Sequence, residues 1–341
     1  MLILGIETSC DETSASVVRD GCLILSNIVS SQDKIHAPFG GVVPELASRA
    51  QIENIGWVVK EAIDVAKISL NKVDAVGVTY GPGLAGSLLV GVEFAKSLAY
   101  SLSIPLVPIN HIHAHLYSAF LDGSSSTSSR SEQRGEIEFP YIGMVISGGH
   151  TTLFYVEDFS SYSLLGQTRD DASGEAFDKG AKILQLGYPG GPAIDRISRE
   201  GNSSEVKFPR AYLGNSFDFS FSGLKTALLR YMEKRGEFQK RDTADIAASF
   251  QEAIVDVLIK KVILAAEKKK TDTIVIGGGV ASNTRLREKL EGEAKGRNLR
   301  IHFPQPKLCT DNGAMVAGLS YWMLEKGRTA SLDLDIQPNV F

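Results

Sequence analysis

Three of the six histidines in this 341-residue chain lie within five positions, in the sequence HIHAH at 111–115. The run begins a helical pattern, in which positions four residues apart share a face. His111 and His115 can therefore converge on one metal ion while His113 points elsewhere. Two imidazoles are too few for a metal site, and a surface helix that happens to carry histidines explains the motif about as well.

A third ligand can come from Asp311, in the C-terminal sequence CTDNGAMVAG. Aspartate is also favoured as a helix N-cap, which is the simpler explanation for its position. Two histidines and one carboxylate would leave open positions on an ion, compatible with iron or zinc. The residue after His111 is Ile112, so the general base of an HExxH metalloprotease is missing.

Glycine-rich loops are the second chemical signal. Gly148 and Gly149, in VISGGHTTLF, predict a tight turn whose backbone N–H groups can bind a phosphate or a carbonyl oxygen, although a plain hairpin would look the same. GYPGGPAID at 187–195 and VIGGGVASN at 275–283 are further loops, and neither matches a dinucleotide-binding or P-loop fingerprint. Asp178 and Asp195 lie near these loops, as candidate ribose ligands or as ordinary surface charges.

The sequence SFSGLKT at 220–226 predicts a helix N-terminus with Ser222 as its cap. Lys225 would then lie in the first turn, where a positive charge opposes the helix dipole unless it meets an anion.

The elements that position these residues alternate between strands and helices. Strands at 2–7, 15–21 and 23–29 form a predicted meander, followed by a helix at 44–67, a strand at 74–80, a helix after the GPG turn and a strand at 105–110. Residues 141–168 repeat the opening pattern of three strands, which indicates an internal duplication.

The remainder of the second half predicts helices at 173–187, 242–269, 282–295 and 311–327, strands at 273–279 and 299–304, and loops at 188–198 and 215–232. Two such α/β halves imply a ligand site in a cleft between them. The Ser-rich stretch 123–136 predicts a mobile loop at the boundary, with domains at 1–130 and 137–305 and the helix at 311–326 packing back on the first.

Charge and cysteine content limit the partners and the cellular compartment that the sequence predicts. The net charge of −4 and the isoelectric point near 5.9 give no overall attraction to RNA, so any RNA contact needs a local basic patch or a basic partner. Three cysteines without CxxC spacing argue against a disulfide framework and favour the cytoplasm. The N-terminal sequence has no export signal, and no segment is long enough to span a membrane.

Ten motifs, in order from residue 7 to residue 315, resemble those of the TsaD family of tRNA N6-adenosine threonylcarbamoyltransferases, formerly described as O-sialoglycoprotein endopeptidases. They are ETSCDETS, GGVVPELASRAQ, GPGLAGSLLVG, HIHAH, SGGHT, DDASGEAFDKGAK, YPGGPAID, FSFSGLKT, GGGVASN and CTDNGAM. The resemblance covers nearly the whole chain.

This resemblance implies an actin, Hsp70 and sugar-kinase-like (ASKHA) α/β fold of two duplicated ribonuclease H-like halves with an interdomain cleft. It implies transfer of threonylcarbamoyl from threonylcarbamoyl-AMP to N6 of the adenosine beside the anticodon, in tRNAs that read codons beginning with A. His111, His115 and Asp311 would be the ligands of one divalent metal ion, with iron favoured over zinc. The substrate-binding residues would be Val145, Ile146, Ser147, Gly148, Gly149, Asp178, Gly191, Asp195 and Asn283.

Glu12, in the opening turn, is the candidate general base, although it could equally be structural. The family further implies two partners: a catalytically inactive paralogue (TsaB-like) and a small ATPase (TsaE-like). Two features depart from the family pattern. Gln51 stands where the family often has histidine, which is expected to remove a peripheral polar contact, and the Ser-rich loop is longer.

Three alternatives remain at this stage. A metallopeptidase would hydrolyse peptides, a small-molecule kinase of the same fold would transfer a γ-phosphate, and a nucleotide-binding module would bind without turnover.

Overall fold

The computed structural model describes residues 1–121, 137–235 and 240–340, and the predicted Ser-rich loop at 123–136 lies outside them. The chain divides into two compact units. The first unit contains Met1–Ile137 together with Pro304–Phe341, and the second unit contains Glu138–Phe303.

The first unit is built on a five-stranded sheet of order β3-β2-β1-β4-β5. Strands β1 (Leu2–Glu7), β2 (Glu12–Arg19) and β3 (Leu23–Ser31) are antiparallel neighbours, which confirms the predicted meander. Asp20 and Gly21 have φ angles of 51° and 75°, in the left-handed region that a tight hairpin turn requires. Strands β4 (Ala75–Gly81) and β5 (Leu106–Asn110) extend the sheet in parallel with β1.

The described residues of the first unit also form helices α1 (Asp33–His36), α2 (Pro44–Ala66), α3 (Ala85–Leu102), α4 (His111–Tyr117) and α10 (Gly313–Glu325). Apolar side chains of α2 and α3 form a core with the strands, and this core includes Val58, Val92 and Ile6. Helix α10 crosses β1 at Gly5, where an added Cβ would lie 2.3 Å from the backbone N of Ala317. Only glycine permits this approach of helix to strand.

The second unit repeats the same topology. Strands β6 (Tyr141–Ile146), β7 (Thr151–Asp158) and β8 (Ser161–Gln167) are antiparallel neighbours, and β9 (Thr273–Gly277) and β10 (Arg300–His302) lie parallel to β6. The order β8-β7-β6-β9-β10 matches β3-β2-β1-β4-β5 strand for strand. The structure therefore confirms the duplication that the sequence pattern predicts.

Helices α5 (Ser173–Ile183), α6 (Gly190–Ser198), α7 (Ser222–Arg235), α8 (Lys240–Lys269) and α9 (Thr284–Lys295) accompany this sheet. Two loop predictions are wrong here, because α6 occupies most of 188–198 and α7 begins within 215–232. Helix α6 tolerates Pro192 because a first-turn residue needs no N–H bond within the helix.

The predicted cap of α7 is also wrong. The Asp170 carboxylate accepts hydrogen bonds from the backbone N–H groups of Phe221 and Ser222 and from the hydroxyls of Ser220 and Ser222. A carboxylate distant in sequence thus supplies the negative charge that a helix N-terminus favours.

No helix in the described ranges combines the length and the apolar character needed to cross a membrane. No disulfide joins Cys10, Cys22 and Cys309 in the part of the chain that the structure describes.

Candidate metal centre

The two outer histidines of HIHAH are positioned by the junction of β5 and α4. Asn110 ends the strand, and its side-chain oxygen accepts hydrogen bonds from the backbone N–H groups of Ile112 (2.9 Å) and His113 (3.2 Å). This cap starts the helix at His111. The rings of His111 and His115, one turn apart, have centroids 4.6 Å apart and are both buried.

Asp311 lies immediately before α10 and faces both rings. Its Oδ1 is 3.0 Å from Nε2 of His115 and 3.6 Å from Nε2 of His111. The N-cap of α10 is Asn312, whose side chain accepts from the backbone N–H of Met315. The simpler explanation of Asp311 as a plain N-cap is therefore wrong, and its carboxylate is directed to the histidines instead.

The donor set fits a metal ion. One ligand atom from each of His111, His115 and Asp311 lies within 4.8 Å of the others. The His115 ring is fully buried, and neither of its nitrogens makes a hydrogen bond within the described part of the chain. A buried polar atom without a partner costs about 1–3 kcal/mol, which coordination to a metal would offset. Three ligands of this type leave positions open for substrate.

Burial and two neighbouring carboxylates shift the pKa of His111 in opposite directions. Burial alone would lower the pKa of His111, but the carboxylates of Asp311 and Glu7 outweigh it and raise the pKa to about 9. The pKa of Glu7 is lower than usual. Burial by itself would raise this pKa, but the charge of His111 and its contact with the carboxylate outweigh burial. Because a metal ligand must offer a lone pair, binding of an ion would release a proton from this site near neutral pH.

His113 lies outside this donor set. Burial lowers the pKa of His113 to about 4, so its imidazole is neutral at physiological pH.

Glu12 is the first residue of β2, in the same unit as the three candidate ligands. Burial raises the pKa of Glu12 well above its usual value, and the carboxylates of Asp311 and Asp11 raise it further. A carboxyl with a raised pKa is a stronger base once it has lost its proton.

Gln51 has a different role from the peripheral contact expected. The side chain is fully buried, and its Nε2 donates to the backbone oxygens of Thr8 (3.3 Å), Cys10 (2.9 Å) and Glu12 (3.1 Å). Gln51 therefore holds the segment that leads from β1 into Glu12. The expectation failed because α2 packs against this segment from more than 40 positions along the chain.

The predicted residues Val145–Gly149 lie at the end of β6 and in the turn to β7. The Ser147 backbone N–H donates to the His150 oxygen (2.8 Å), which closes the turn, and Gly148 and Gly149 are exposed. An added Cβ at Gly174 would lie 2.5 Å from the Ser147 oxygen, so the start of α5 packs directly on this turn.

Two other predicted substrate-binding residues of the second unit, Asp178 and Asp195, accept hydrogen bonds within the protein. Asp178 accepts from the Gly190 backbone N–H, one residue before Gly191 (2.7 Å). Asp195 accepts from the backbone N–H (3.2 Å) and hydroxyl (2.9 Å) of Thr284.

Asn283, the residue before Thr284, caps α9 by accepting from the Leu286 N–H (2.9 Å) and donates to Gln251 (2.7 Å). The structure thus brings Asp195 and Asn283 together at the start of α9, and each also stabilises the local backbone.

One functional candidate does not appear in the sequence-based prediction. Glu7, at the end of β1, is fully buried and contacts His111. The signal available in the sequence is an acidic residue that ends the apolar run LILGI.

Comparison with solved structures identifies the fold. HypF of T. kodakarensis has a TM-score of 0.61 at 15% identity, covering 95% of this chain and 48% of that chain. Component A of the (R)-2-hydroxyglutaryl-CoA dehydratase of Acidaminococcus fermentans has a TM-score of 0.54 at 15% identity, covering 95% and 99%. These likenesses, together with the duplicated sheets, confirm the predicted ASKHA fold class.

Sequence comparison identifies the family. The family model described as TsaD, tRNA N6-adenosine threonylcarbamoyltransferase, matches residues 23–318. A protein named tRNA N6-adenosine threonylcarbamoyltransferase from Clostridium perfringens strain 13 is 49% identical over 341 residues, covering 99% of this chain and 97% of that protein. The chain belongs to the tRNA N6-adenosine threonylcarbamoyltransferase family.

Proposed function

We propose that this chain is an acyltransferase that moves a threonylcarbamoyl group from threonylcarbamoyl-AMP to N6 of an adenosine in tRNA. The acceptor is the adenosine beside the anticodon in tRNAs that read codons beginning with A, and AMP is released. The observation that carries this proposal is the 49% identity, over nearly the full length of both chains, to enzymes of that name. The reaction takes place in the cytoplasm, where tRNA is found.

The proposed metal ligands are His111, His115 and Asp311, holding one divalent ion. Their convergence and the unsatisfied nitrogens of buried His115 support this assignment. Iron is the favoured ion and zinc the alternative, because imidazole and carboxylate ligands suit both. When bound, the ion would supply a Lewis acid for a carbonyl or phosphate oxygen.

The adenylate would be held by residues of the second unit: Val145, Ile146, Ser147, Gly148, Gly149, Asp178, Gly191, Asp195 and Asn283. Exposed glycines in the turn after β6 allow close approach of a phosphate to the backbone, which supports this role. Binding in one orientation contributes to catalysis because it aligns the donor with the tRNA amine.

In the proposed transfer, N6 of the adenosine forms a bond to the carbamoyl carbon. The bond from that carbon to the phosphate oxygen breaks, and AMP leaves with the electron pair. Glu12 accepts the proton that N6 loses. The raised pKa of Glu12 supports this role, because a carboxylate with a raised pKa binds a proton more strongly than an ordinary one.

The two proposed protein partners are a catalytically inactive paralogue (TsaB-like) and a small ATPase (TsaE-like). The exposed apolar side chains of α2 and α3 support a protein partner, since Ile52 is 65% exposed, Leu89 48% and Tyr100 74%. A partner with basic side chains would compensate for the net charge of −4 in binding tRNA.

The test is a tRNA modification assay with unmodified tRNA and threonylcarbamoyl-AMP, run with and without the paralogue and the ATPase. We expect modified adenosine with the wild-type chain and a loss of at least 100-fold with His111→Ala, because removal of one ligand opens the metal site. Peptide hydrolysis, or transfer of a γ-phosphate to a small acceptor, without any modified adenosine would overturn the proposal.

A further inference from the structure

Glu7 presents a buried carboxylate to one of the two candidate histidine ligands. Its Oε1 accepts from the Ser9 backbone N–H (2.6 Å), and its Oε2 accepts from the Thr79 hydroxyl (2.5 Å). The same Oε2 lies 3.2 Å from Nδ1 of His111. The carboxylate is fully buried and anchored at both oxygens, so it cannot turn away from the ring.

This contact decides which nitrogen of His111 carries the proton in the neutral ring. An ionised carboxylate only accepts hydrogen bonds, so Nδ1 must be the donor. The Ser9 hydroxyl oxygen, 3.1 Å from Nδ1, can accept from the same N–H. The lone pair is therefore left on Nε2, the nitrogen that faces Asp311.

The two histidine ligands differ in this respect. His111 has a carboxylate behind Nδ1, whereas His115 has no hydrogen-bond partner at its own Nδ1 within the residues described, and its Nε2 lies 3.0 Å from Asp311. A carboxylate behind a metal-bound imidazole fixes the ring orientation and increases its basicity.

We infer that Glu7 is a positioning residue for the metal: it holds His111 with Nδ1 protonated and Nε2 available to the ion. The Thr79 hydroxyl in turn donates to Glu7, so this chain of hydrogen bonds joins β4, β1 and α4. The inference rests on the proposed metal site, and it concerns the affinity of that site for its ion.

The test compares zinc affinity, by chelator competition, among the wild type, Glu7→Gln, Thr79→Val and Ser26→Ala. In Glu7→Gln the amide must turn its NH₂ group toward one of the donors that the carboxylate accepts from, so the contact with His111 weakens. We expect about a 10-fold to 100-fold loss of affinity for Glu7→Gln, the range found when a ligand loses its hydrogen-bond partner, and a smaller loss for Thr79→Val.

Ser26→Ala is the matched control. Ser26 is buried in the same sheet and accepts a hydrogen bond from the Val17 backbone N–H, so its removal weakens the fold and leaves the site unchanged. Thermal unfolding of each variant gives the stability loss. The variants that weaken the contact with His111 should lose zinc affinity, and Ser26→Ala should keep it even if its melting temperature falls.

A spectroscopic readout separates positioning from general destabilisation. With ¹⁵N-labelled histidine, the zinc form of the wild type should show His111 protonated at Nδ1, and this signal should broaden or disappear in Glu7→Gln. Excess zinc should restore metal occupancy in the variant.

Equal zinc affinities for the wild type and Glu7→Gln would overturn the inference, and so would a loss of the same size in Ser26→Ala. Failure of the wild type itself to bind zinc or iron would instead overturn the metal site of the proposed function.

Discussion

At the scale of single residues, not every proposed metal ligand is held in place by hydrogen bonds to the rest of the fold. His115 is the clearest case, because its ring is buried without hydrogen bonds in the described part of the molecule. Removing it should abolish metal binding while leaving the hydrogen bonds of α4 unchanged.

We therefore expect the wild type to contain one ion per chain when purified and His115→Ala to contain almost no metal. Elemental analysis measures this content, and circular dichroism shows whether the variant is folded. His113→Ala is the control, since His113 lies on the same helix outside the donor set. A variant His115→Ala that retains a full equivalent of metal would contradict the ligand assignment.

The site could be predicted in part from spacing alone. Positions 111 and 115 share a helix face whatever the tertiary structure, so their convergence follows from helix geometry. The role of Glu7 could not be predicted in this way, because its contacts with Thr79 and His111 depend on how β1, β4 and α4 pack. Gln51 was misjudged for the same reason.

At the scale of elements, α8 and α9 are joined by a carboxylate that accepts from two cations. Glu252 accepts from Arg285 (2.7 and 2.9 Å) and from Lys289 (2.5 Å). Burial opposes ionisation of Glu252, but the hydrogen bonds from Arg285 and Lys289 lower its pKa to about 2. A pKa depressed in the folded state means that this stabilisation is complete above the ordinary glutamate value and is lost as the pH falls toward 2.

We expect Glu252→Gln to lower the free energy of unfolding by about 2 kcal/mol at pH 7, the scale of hydrogen bonds to charged groups. The difference from the wild type should shrink as the pH is lowered below about 4.5, because the Glu252 carboxyl then begins to protonate in the unfolded chain while it stays ionised in the folded one. Urea unfolding at pH 7, 4 and 3 measures both effects.

Glu267→Gln provides the control. Its pair with Arg297, at 3.0 Å, is exposed at both side chains (55% and 46%). Such surface pairs contribute about 0–1 kcal/mol, so this variant should remain close to the wild type at every pH. A loss for Glu252→Gln that is independent of pH would show that packing, and not charge, joins the two helices.

The strands and the two three-strand meanders were predictable because apolar runs and turn residues mark each strand, and the pattern occurs twice. Helix α6 was missed, and α7 was predicted only at its N-terminus and with the wrong cap. The N-termini of both helices are completed by residues that precede them by many positions. Asp178 accepts from Gly190, and Asp170 accepts from Ser222, 52 residues away. The residues next to a glycine-rich or serine-rich segment do not indicate that a distant carboxylate will accept from its backbone.

At the scale of the whole molecule, a metal ion would join two distant parts of the chain. His111 belongs to the N-terminal segment of the first unit, and Asp311 belongs to its C-terminal segment. An ion bound to both should therefore stabilise the folded first unit against unfolding, since the unfolded chain does not hold the ligands together.

We expect zinc at 100 times its dissociation constant to raise the free energy of unfolding of the first unit by about 2.7 kcal/mol. Calorimetry across a zinc titration measures this as a rising melting temperature. His111→Ala should show no such rise, and an equal rise in that variant would place the stabilising ion elsewhere.

The division of the first unit into two chain segments also bears on synthesis. A ribosome completes His111 and His115 early, yet it must add all of residues 138–303 before Pro304 and the Asp311 that follows. The sheet of the first unit is likewise without α10, the helix that crosses β1 at Gly5, until residues 313–325 have been synthesised. A nascent chain would therefore hold an incomplete set of the proposed ligands while the whole second unit is made, and loading of the proposed site with metal would have to follow synthesis of the second unit.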